Sequence, residues 1–364
     1  MHHQTDFCIL GAGLAGLSMA DALLEQNIAT VVIDKNTIAG GASGTPGGLV
    51  NPATGRRATK AWKAEQCYEA IARNLAKVQE QAEESFYRHN GLLRPALLEK
   101  MAIKMKAQHE KTSWPDGWCQ WKTEEEIKEM HPGITCVNGG LWLPIGLSVN
   151  VGAYLQAYAR FLQEGGLQLW TDRQPVIHRA QNEWHISFDD ITVQAQHLLF
   201  AIGRGTTESG YWDWLPLHLI KGQVATFRNG EEPLSFSHSI SSLGYMARTG
   251  DDHTFVQGST YEHDFEHVRP DKEGEQYLRK RMRRTLPRLE EKVTTVEQWA
   301  GVRTSTPNRK PILGRHPEHP FMHVFTGLGS KGLLYSKFLA EHYVDHLTRG
   351  TDLYPEVDIG RIKN

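Results

Sequence analysis

An α/β fold, α+β overall, is predicted by three observations. The chain opens with an apolar strand, DFCIL at 6–10, that runs into glycines at 11, 13 and 16 and then into a helical pattern. A second passage from strand through glycines to helix, MHVFTGLGSKGLL, lies near the other end at 322–334. Between them, three short alternating runs at 174–196 and further runs at 221–227, 244–248 and 254–258 predict antiparallel sheet.

A chain of 364 residues has room for two domains at the usual size of about 100 to 200 residues each. Its 40% apolar and 23% charged composition is that of a globular protein rather than a disordered one. The net charge of -2 excludes a global drive toward nucleic acid or anionic lipid and leaves only local basic patches. Cys8, Cys67, Cys119 and Cys136 show no CxxC or metal-like spacing, so reduced thiols in a reducing compartment are expected. The apolar run from Phe7 to Leu24 contains Asp21 and glycines and lacks a basic leader, so it reads as structure and not as a signal peptide. With no window of about 20 apolar residues, no membrane span is expected, and the expected location is cytoplasmic.

In the first glycine turn, Gly11 allows the tight bend, Gly13 lets the backbone approach a pyrophosphate, and Gly16 lets the helix that begins at Leu14 and Ala15 pack close to the strand. A second strand, TVVID, ends in Asp34, 18 residues after Gly16, followed by Lys35. A carboxylate there accepts both ribose hydroxyls of an adenosine, which defines a Rossmann-like dinucleotide site. The bland alternative is a glycine-rich packing turn. The turn alone does not separate NAD from FAD. The next segment, AGGASGTPGGLVNP at 39–52, holds five glycines and reads either as a loop laying backbone N–H groups along an extended ligand or as a mobile surface loop.

The ordered set GAGLAG, VIDK, GASGTPGGLVNP, LLFAIG, KGQV, GVRTSTPNRKPILG and GLGSKGL resembles the FAD-dependent D-amino-acid oxidase superfamily, which includes glycine oxidase and sarcosine oxidase. Within it, the chain is most similar to the flavin domain of the bifunctional enzymes that make 5-methylaminomethyl-2-thiouridine in tRNA. The resemblance implies a Rossmann-like FAD-binding domain (1–60, 145–220 and 300–364) interleaved with an antiparallel-sheet substrate domain (61–144 and 221–299). It implies noncovalent FAD, since no cysteine lies near the late glycine turn. It places Ala42, Ser43, Gly48 and Leu49 of the second loop at the cofactor beside the first turn. It further assigns the backbone of Val176 to the adenine, and it packs Ala201 and Gly203 against the dinucleotide, with Ile202 standing where an alanine is usual.

The late turn, Gly327, Gly329, Ser330, Lys331, Gly332 and Leu333, has no acid at the end of a following strand, so it is not a second adenosine site. In the resembled family it abuts the pyrimidine edge of the flavin, where a helix N-terminus adds about half a positive charge and an inward Lys331 adds a full one. A solvated Lys331 is the alternative. Arg303 stands where the family's amino-acid oxidases hold a substrate carboxylate, a task suited to a guanidinium fork; otherwise it ties two strands. Tyr245 and Arg248 match a strand at the substrate cavity of glycine-oxidase-like proteins, which implies a hydroxyl contact from Tyr245 to the substrate carboxylate and for Arg248 only a brace of the domain interface.

His263 and His267 read as surface residues rather than metal ligands, because their spacing lacks the HExxH arrangement. The cluster RKRMRR at 279–284 reads as the solvated face of an amphipathic helix, with RNA phosphates as the other reading. No catalytic acid or base is named, since the flavin performs the hard step of amine oxidation by hydride transfer. Three functions are carried forward. The first is oxidation of a small amine or amino acid of the glycine, sarcosine or D-amino acid type, the second is removal of a carboxymethyl group from a modified wobble uridine in tRNA, and the third is a flavin-carrying structural subunit of a larger oxidase.

Overall fold

The computed structural model describes residues 2–180 and 183–362. Its first strand, His2–Leu10, lies inside an eight-stranded sheet ordered Gln168–Trp170, Thr30–Ile33, His2–Leu10, Ile191–Phe200, Glu183–Phe188, Val176–Ala180, with Met322–Thr326 and Ile312–Arg315 joined to Ile191–Phe200. Only Phe7 to Leu10 of the first strand are buried, and these pair in parallel with Thr30–Ile33 on one side and residues 197–200 on the other. Parallel strands covered on both faces read as unbroken apolar runs, which is why DFCIL and TVVI were legible.

The third alternating run and LLF form one continuous strand, Ile191–Phe200, and not two. Its outer half pairs antiparallel with Glu183–Phe188, while Leu198, Leu199 and Phe200 pair in parallel with Met322–Val324. The strand therefore forks, and its polar alternation gives way to a buried end. Residues 181–182 lie outside the described residues.

Helix Leu14–Leu24 is buried along almost its whole length because helices Val151–Glu164, Ala64–Gln79 and Gly332–Arg349 surround it. Val151, Tyr154, Leu155, Tyr158 and Leu162 form the predicted apolar stripe of Val151–Glu164, and the Asn150 side chain caps that helix by accepting the Ala153 N–H at 3.1 Å. Helix Ala64–Gln79 falls within 61–144, the range expected for the substrate domain. It packs instead into this core, because Cys67, Ile71, Leu75 and Val78 form a stripe that meets the same helices.

A second eight-stranded sheet runs Thr294–Ser305, His218–Arg228, Thr254–Gly258, Tyr245–Ala247, Ser239–Ser241, Leu92–Pro95, Gly140–Leu143, Gln120–Lys122. Helix Lys272–Thr285 covers it through Leu278 and Met282, which join Phe227 and Phe255 in a separate core. In the basic cluster on this helix, Arg279 pairs with Glu275 at 3.0 Å and Arg283 with Glu290 at 2.7 Å, while Lys280 and Arg284 are exposed. A three-stranded sheet, Gly48–Val50, Leu147–Val149, Tyr87–His89, carries the 39–52 loop.

Candidate active site

The first glycine turn is closed by backbone contacts that admit no side chain. Gly11 has φ +106°, and a Cβ there would sit 2.5 Å from the Ala201 carbonyl oxygen. At Gly16 a Cβ would lie 1.8 Å from the Gly11 carbonyl oxygen, so the helix can approach the strand only with glycine at that position. Leu10 and Gly11 are tied to neighbouring strands through Ala201 N–H to Leu10 O and Gly11 N–H to Ile33 O, both 2.8 Å. No side chain caps the helix at Gly13, which leaves N–H groups of its first turn for an anion.

Asp34 closes one side of this turn. Its Oδ2 accepts the Ala12 N–H at 2.7 Å and its Oδ1 the Asn36 N–H at 2.8 Å, and each oxygen keeps a further lone pair for a ligand. Burial pushes its carboxyl up from the ordinary range, and the two N–H groups work against that rise. Lys35 beside it is exposed. The chain returns to this point after Trp170: Arg173 donates its N–H to the Asp34 carbonyl at 3.1 Å, three residues before Val176, which is 65% exposed at the sheet edge.

The structure brings the two glycine turns and the 39–52 loop together. Ser43 Oγ accepts the Leu14 N–H at 3.3 Å and lies beside Gly13, while Ala42 packs under Gly301. A Cβ on Gly48 would meet Leu333 at 2.8 Å, and one on Gly332 would meet Leu14 at 2.8 Å. Leu49 packs between the small cores of the second sheet, among Val224, Val256 and Leu143. Ala15 is buried in the helix and Gly203 opens a short 3-10 turn after Ala201 with φ +55°.

Gly327 and Gly329 adopt φ +74° and +56°, and Gly329 N–H reaches the Thr304 carbonyl at 2.8 Å, so the late turn leans on the strand that carries Arg303. Ser330 is exposed, and helix Gly332–Arg349 also begins without a side-chain cap, at Lys331. Lys331 Nζ lies 3.4 Å from the Arg309 carbonyl and 5.5 Å from the Tyr335 ring centre. Burial, then the charge of Arg309, lowers its ammonium from the ordinary range. The sequence reading missed its neighbour. Lys310 Nζ stands 4.6 Å over Trp62, and burial followed by the nearby Lys331 pushes it down to about 8. The only trace in the sequence is adjacency to Arg309, which does not say where the side chain goes.

Arg303 lies flat across Gly222 on the next strand, where a Cβ would sit 2.1 Å from its Nη2. Its Nη1 is buried with no hydrogen-bond partner among the described residues. Tyr261, also missed, stacks over its guanidinium with Cζ 4.9 Å from the ring centre. Tyr245 gives its hydroxyl proton to the Gly47 carbonyl at 2.7 Å, and burial pushes that hydroxyl up to about 12, against a smaller lowering by Arg303. Tyr245 thus pins the 39–52 loop to the second sheet. Arg248 is buried and bonds the Thr254 carbonyl at 2.7 Å, a bracing contact. His263 and His267 are exposed.

A Rossmann-type turn, an acid at the second strand and a second uncapped helix beside the first are features of the dinucleotide-dependent oxidoreductase class. The chain belongs to the DAO family of FAD dependent oxidoreductases, whose profile matches residues 6–346. FAD is therefore its cofactor.

Among curated proteins, it is 25% identical over 370 residues to the tRNA 5-methylaminomethyl-2-thiouridine biosynthesis bifunctional protein MnmC of Thiobacillus denitrificans (strain ATCC 25259 / T1), covering 97% of this chain and 58% of that one. It is also 23% identical to glycine oxidase of Geobacillus kaustophilus (strain HTA426), covering 98% and 97% of the two chains. The chain spans little more than half the length of the bifunctional relatives it matches. Its fold matches the crystal structure of glycine oxidase from Geobacillus kaustophilus with TM-score 0.83 at 21% identity over 96% of each chain. It also matches L-proline dehydrogenase from P. horikoshii with TM-score 0.80 at 18% identity, over 98% of this chain and 96% of that one. No described helix is long and apolar enough to cross a membrane.

A Gly16→Ala variant is expected to purify with much less flavin than the parent, since its methyl must push the helix start away from Gly11. Overpacking of this kind costs about 1–3 kcal/mol in addition. The ratio of flavin to protein absorbance checks it, and an undiminished ratio would show that the turn is not the phosphate site.

Proposed function

We propose that the chain oxidises the C–N bond of a small amine or amino acid that carries a carboxylate. The observation that carries this reading is the buried Nη1 of Arg303, a cationic donor without a hydrogen-bond partner among the described residues. Burying such a donor is costly unless something arrives to accept its hydrogen bond, and a carboxylate matches the guanidinium fork. Arg303 would hold the substrate by that group, with Tyr245 fixing the loop beside it. The amides of the first helix turn would take the pyrophosphate, Asp34 the ribose, and the uncapped start of Gly332–Arg349 with Lys331 the electron-rich end of the ring. When bound, FAD would supply the two-electron oxidant that accepts a hydride from the carbon of the neutral amine, so that C–N becomes the C=N of an iminium.

A second reading keeps this chemistry and moves it to RNA: oxidative removal of a carboxymethyl group from a modified uridine. It is supported by the name of the bifunctional relatives. Both readings need a secondary or primary amine next to a carboxylate, so one experiment separates them. The purified protein is titrated anaerobically at about 450 nm, where oxidised flavin absorbs, with glycine, sarcosine, D-amino acids and 5-carboxymethylaminomethyluridine. Bleaching by a free amino acid is the expected result. Bleaching by the nucleoside alone transfers the assignment to RNA. If no amine reduces the flavin, a flavin-carrying structural role is left.

A further inference from the structure

Tyr261 is 57% exposed, yet its surroundings hold it firmly. Lys221 and Glu262 exchange both backbone hydrogen bonds, at 2.9 and 3.0 Å, which fixes the residue next to Tyr261. Beneath them lies a polar network that the active-site description leaves unused. The Lys221 ammonium, 2% exposed, meets Asp271 at 2.9 Å and Glu262 at 3.3 Å. Gln223 Nε2 donates to Glu262 at 3.0 Å and Asp271 at 2.9 Å, and Thr260 Oγ1 donates to Glu262 at 2.5 Å.

Burying a lysine with two carboxylates contributes little net stability, and such networks are best attested where they fix a geometry. The geometry fixed here is the backbone beside Tyr261. One face of Tyr261 covers the guanidinium of Arg303, so the carboxylate anchor and the ring form one unit. The remainder of the ring is open to solvent at the mouth of the anchor. An aromatic face beside the guanidinium offers little to glycine, which ends at its amine. It offers a stacking surface to any substrate whose amine bears a flat unsaturated ring.

We infer that Tyr261 is a specificity-determining residue that stacks on a planar ring, arene or nucleobase, carried by the amine nitrogen of the substrate. This rests on Arg303 holding the carboxylate of that substrate. The test uses the FAD-loaded full chain and two acids that cannot be oxidised at nitrogen, phenoxyacetate and methoxyacetate, which share the carboxylate and differ by the ring. Calorimetric binding is measured for the parent, Tyr261→Phe and Tyr261→Leu.

Base or arene stacking on an aromatic side chain is expected to favour phenoxyacetate about tenfold. That preference should persist in Tyr261→Phe and vanish in Tyr261→Leu, with methoxyacetate affinity altered less than about threefold, since the guanidinium itself remains. An unchanged preference in Tyr261→Leu overturns the inference, as does equal loss in both variants. Should neither acid bind the parent, the carboxylate site itself fails and the inference falls with it. Binding of both without ring preference removes the inference alone. The kcat/KM of N-benzylglycine against 5-carboxymethylaminomethyluridine then tells whether the ring is a free arene or a nucleobase.

Discussion

Replacing Arg303 by methionine is expected to lower kcat/KM for the carboxylate-bearing amine by about 30- to 5000-fold while leaving FAD bound. Truncating one partner of a buried charge pair costs about 2–5 kcal/mol, and each 1.4 kcal/mol is a factor of ten. The loss should fall mainly on KM, because a carboxylate anchor grips ground state and transition state alike. Arg303→Lys keeps the charge but loses the fork, and it should recover only part of the activity. The flavin spectrum reports that the site has survived, so a drop in turnover is not confused with a loss of cofactor. An unaltered KM in Arg303→Met would end the assignment of this residue as the anchor, and with it the main support for a carboxylate substrate.

Removing Lys337 should destabilise the protein by about 3–5 kcal/mol, because it strips a buried carboxylate of its closest counter-charge and leaves it only the more distant, more exposed Lys77. Asp21 lies inside helix Leu14–Leu24, and both its side chain and that of Lys337 are 3% exposed. Its Oδ2 receives the Lys337 ammonium at 2.5 Å and the Tyr158 hydroxyl at 2.7 Å, and its Oδ1 lies 3.2 Å from Lys77 Nζ. Burial alone would push the Asp21 carboxyl up, but Lys337, Tyr158 and Lys77 together hold it below the ordinary carboxylate range. Lys337→Met leaves an anion between packed helices. Asp21→Asn with Lys337→Met removes the charge as well and should recover a large part of the loss. Urea unfolding of the parent, both single variants and the double variant measures the coupling. Additive single effects would mean that the two groups act independently, contrary to their contact.

Much of the fold could be read from the chain because its signals are local. Each glycine turn sits between an apolar strand and a helix within about twenty residues, and close backbone approach requires glycine there. Arg303 was singled out only through the resemblance of GVRTSTPNRKPILG to the oxidase family, and no local spacing marks it as an anchor. Other features depend on partners far away in sequence. Asp21 reads locally as an oddity in an apolar run, and its counter-ion stands 316 positions later. Tyr261 sits next to Glu262, which bridges to the distant Lys221, and Lys310 packs on a tryptophan of another segment. No spacing rule links such pairs. Helix Ala64–Gln79 is different: its stripe of Cys67, Ile71, Leu75 and Val78 was readable, but what it faces was not.

The central sheet is woven from three distant stretches, with His2–Leu10 beside Ile191–Phe200 and that strand in turn beside Met322–Thr326. Leu14 of the first helix packs against Gly332 of the last long one. During synthesis at about 5–20 residues per second, the early strand and its turn therefore wait for neighbours that leave the ribosome much later. Until the Met322 strand and its helix emerge, the apolar faces of the opening segment stay uncovered, and FAD has only part of its binding surface. Such long-range pairing folds slowly and exposes strand edges meanwhile. With the late turn holding the ring end of FAD as proposed above, cofactor capture belongs to the final stage of folding, and the yield of yellow protein from a cell would be set as much by protection of the nascent chain as by the supply of FAD.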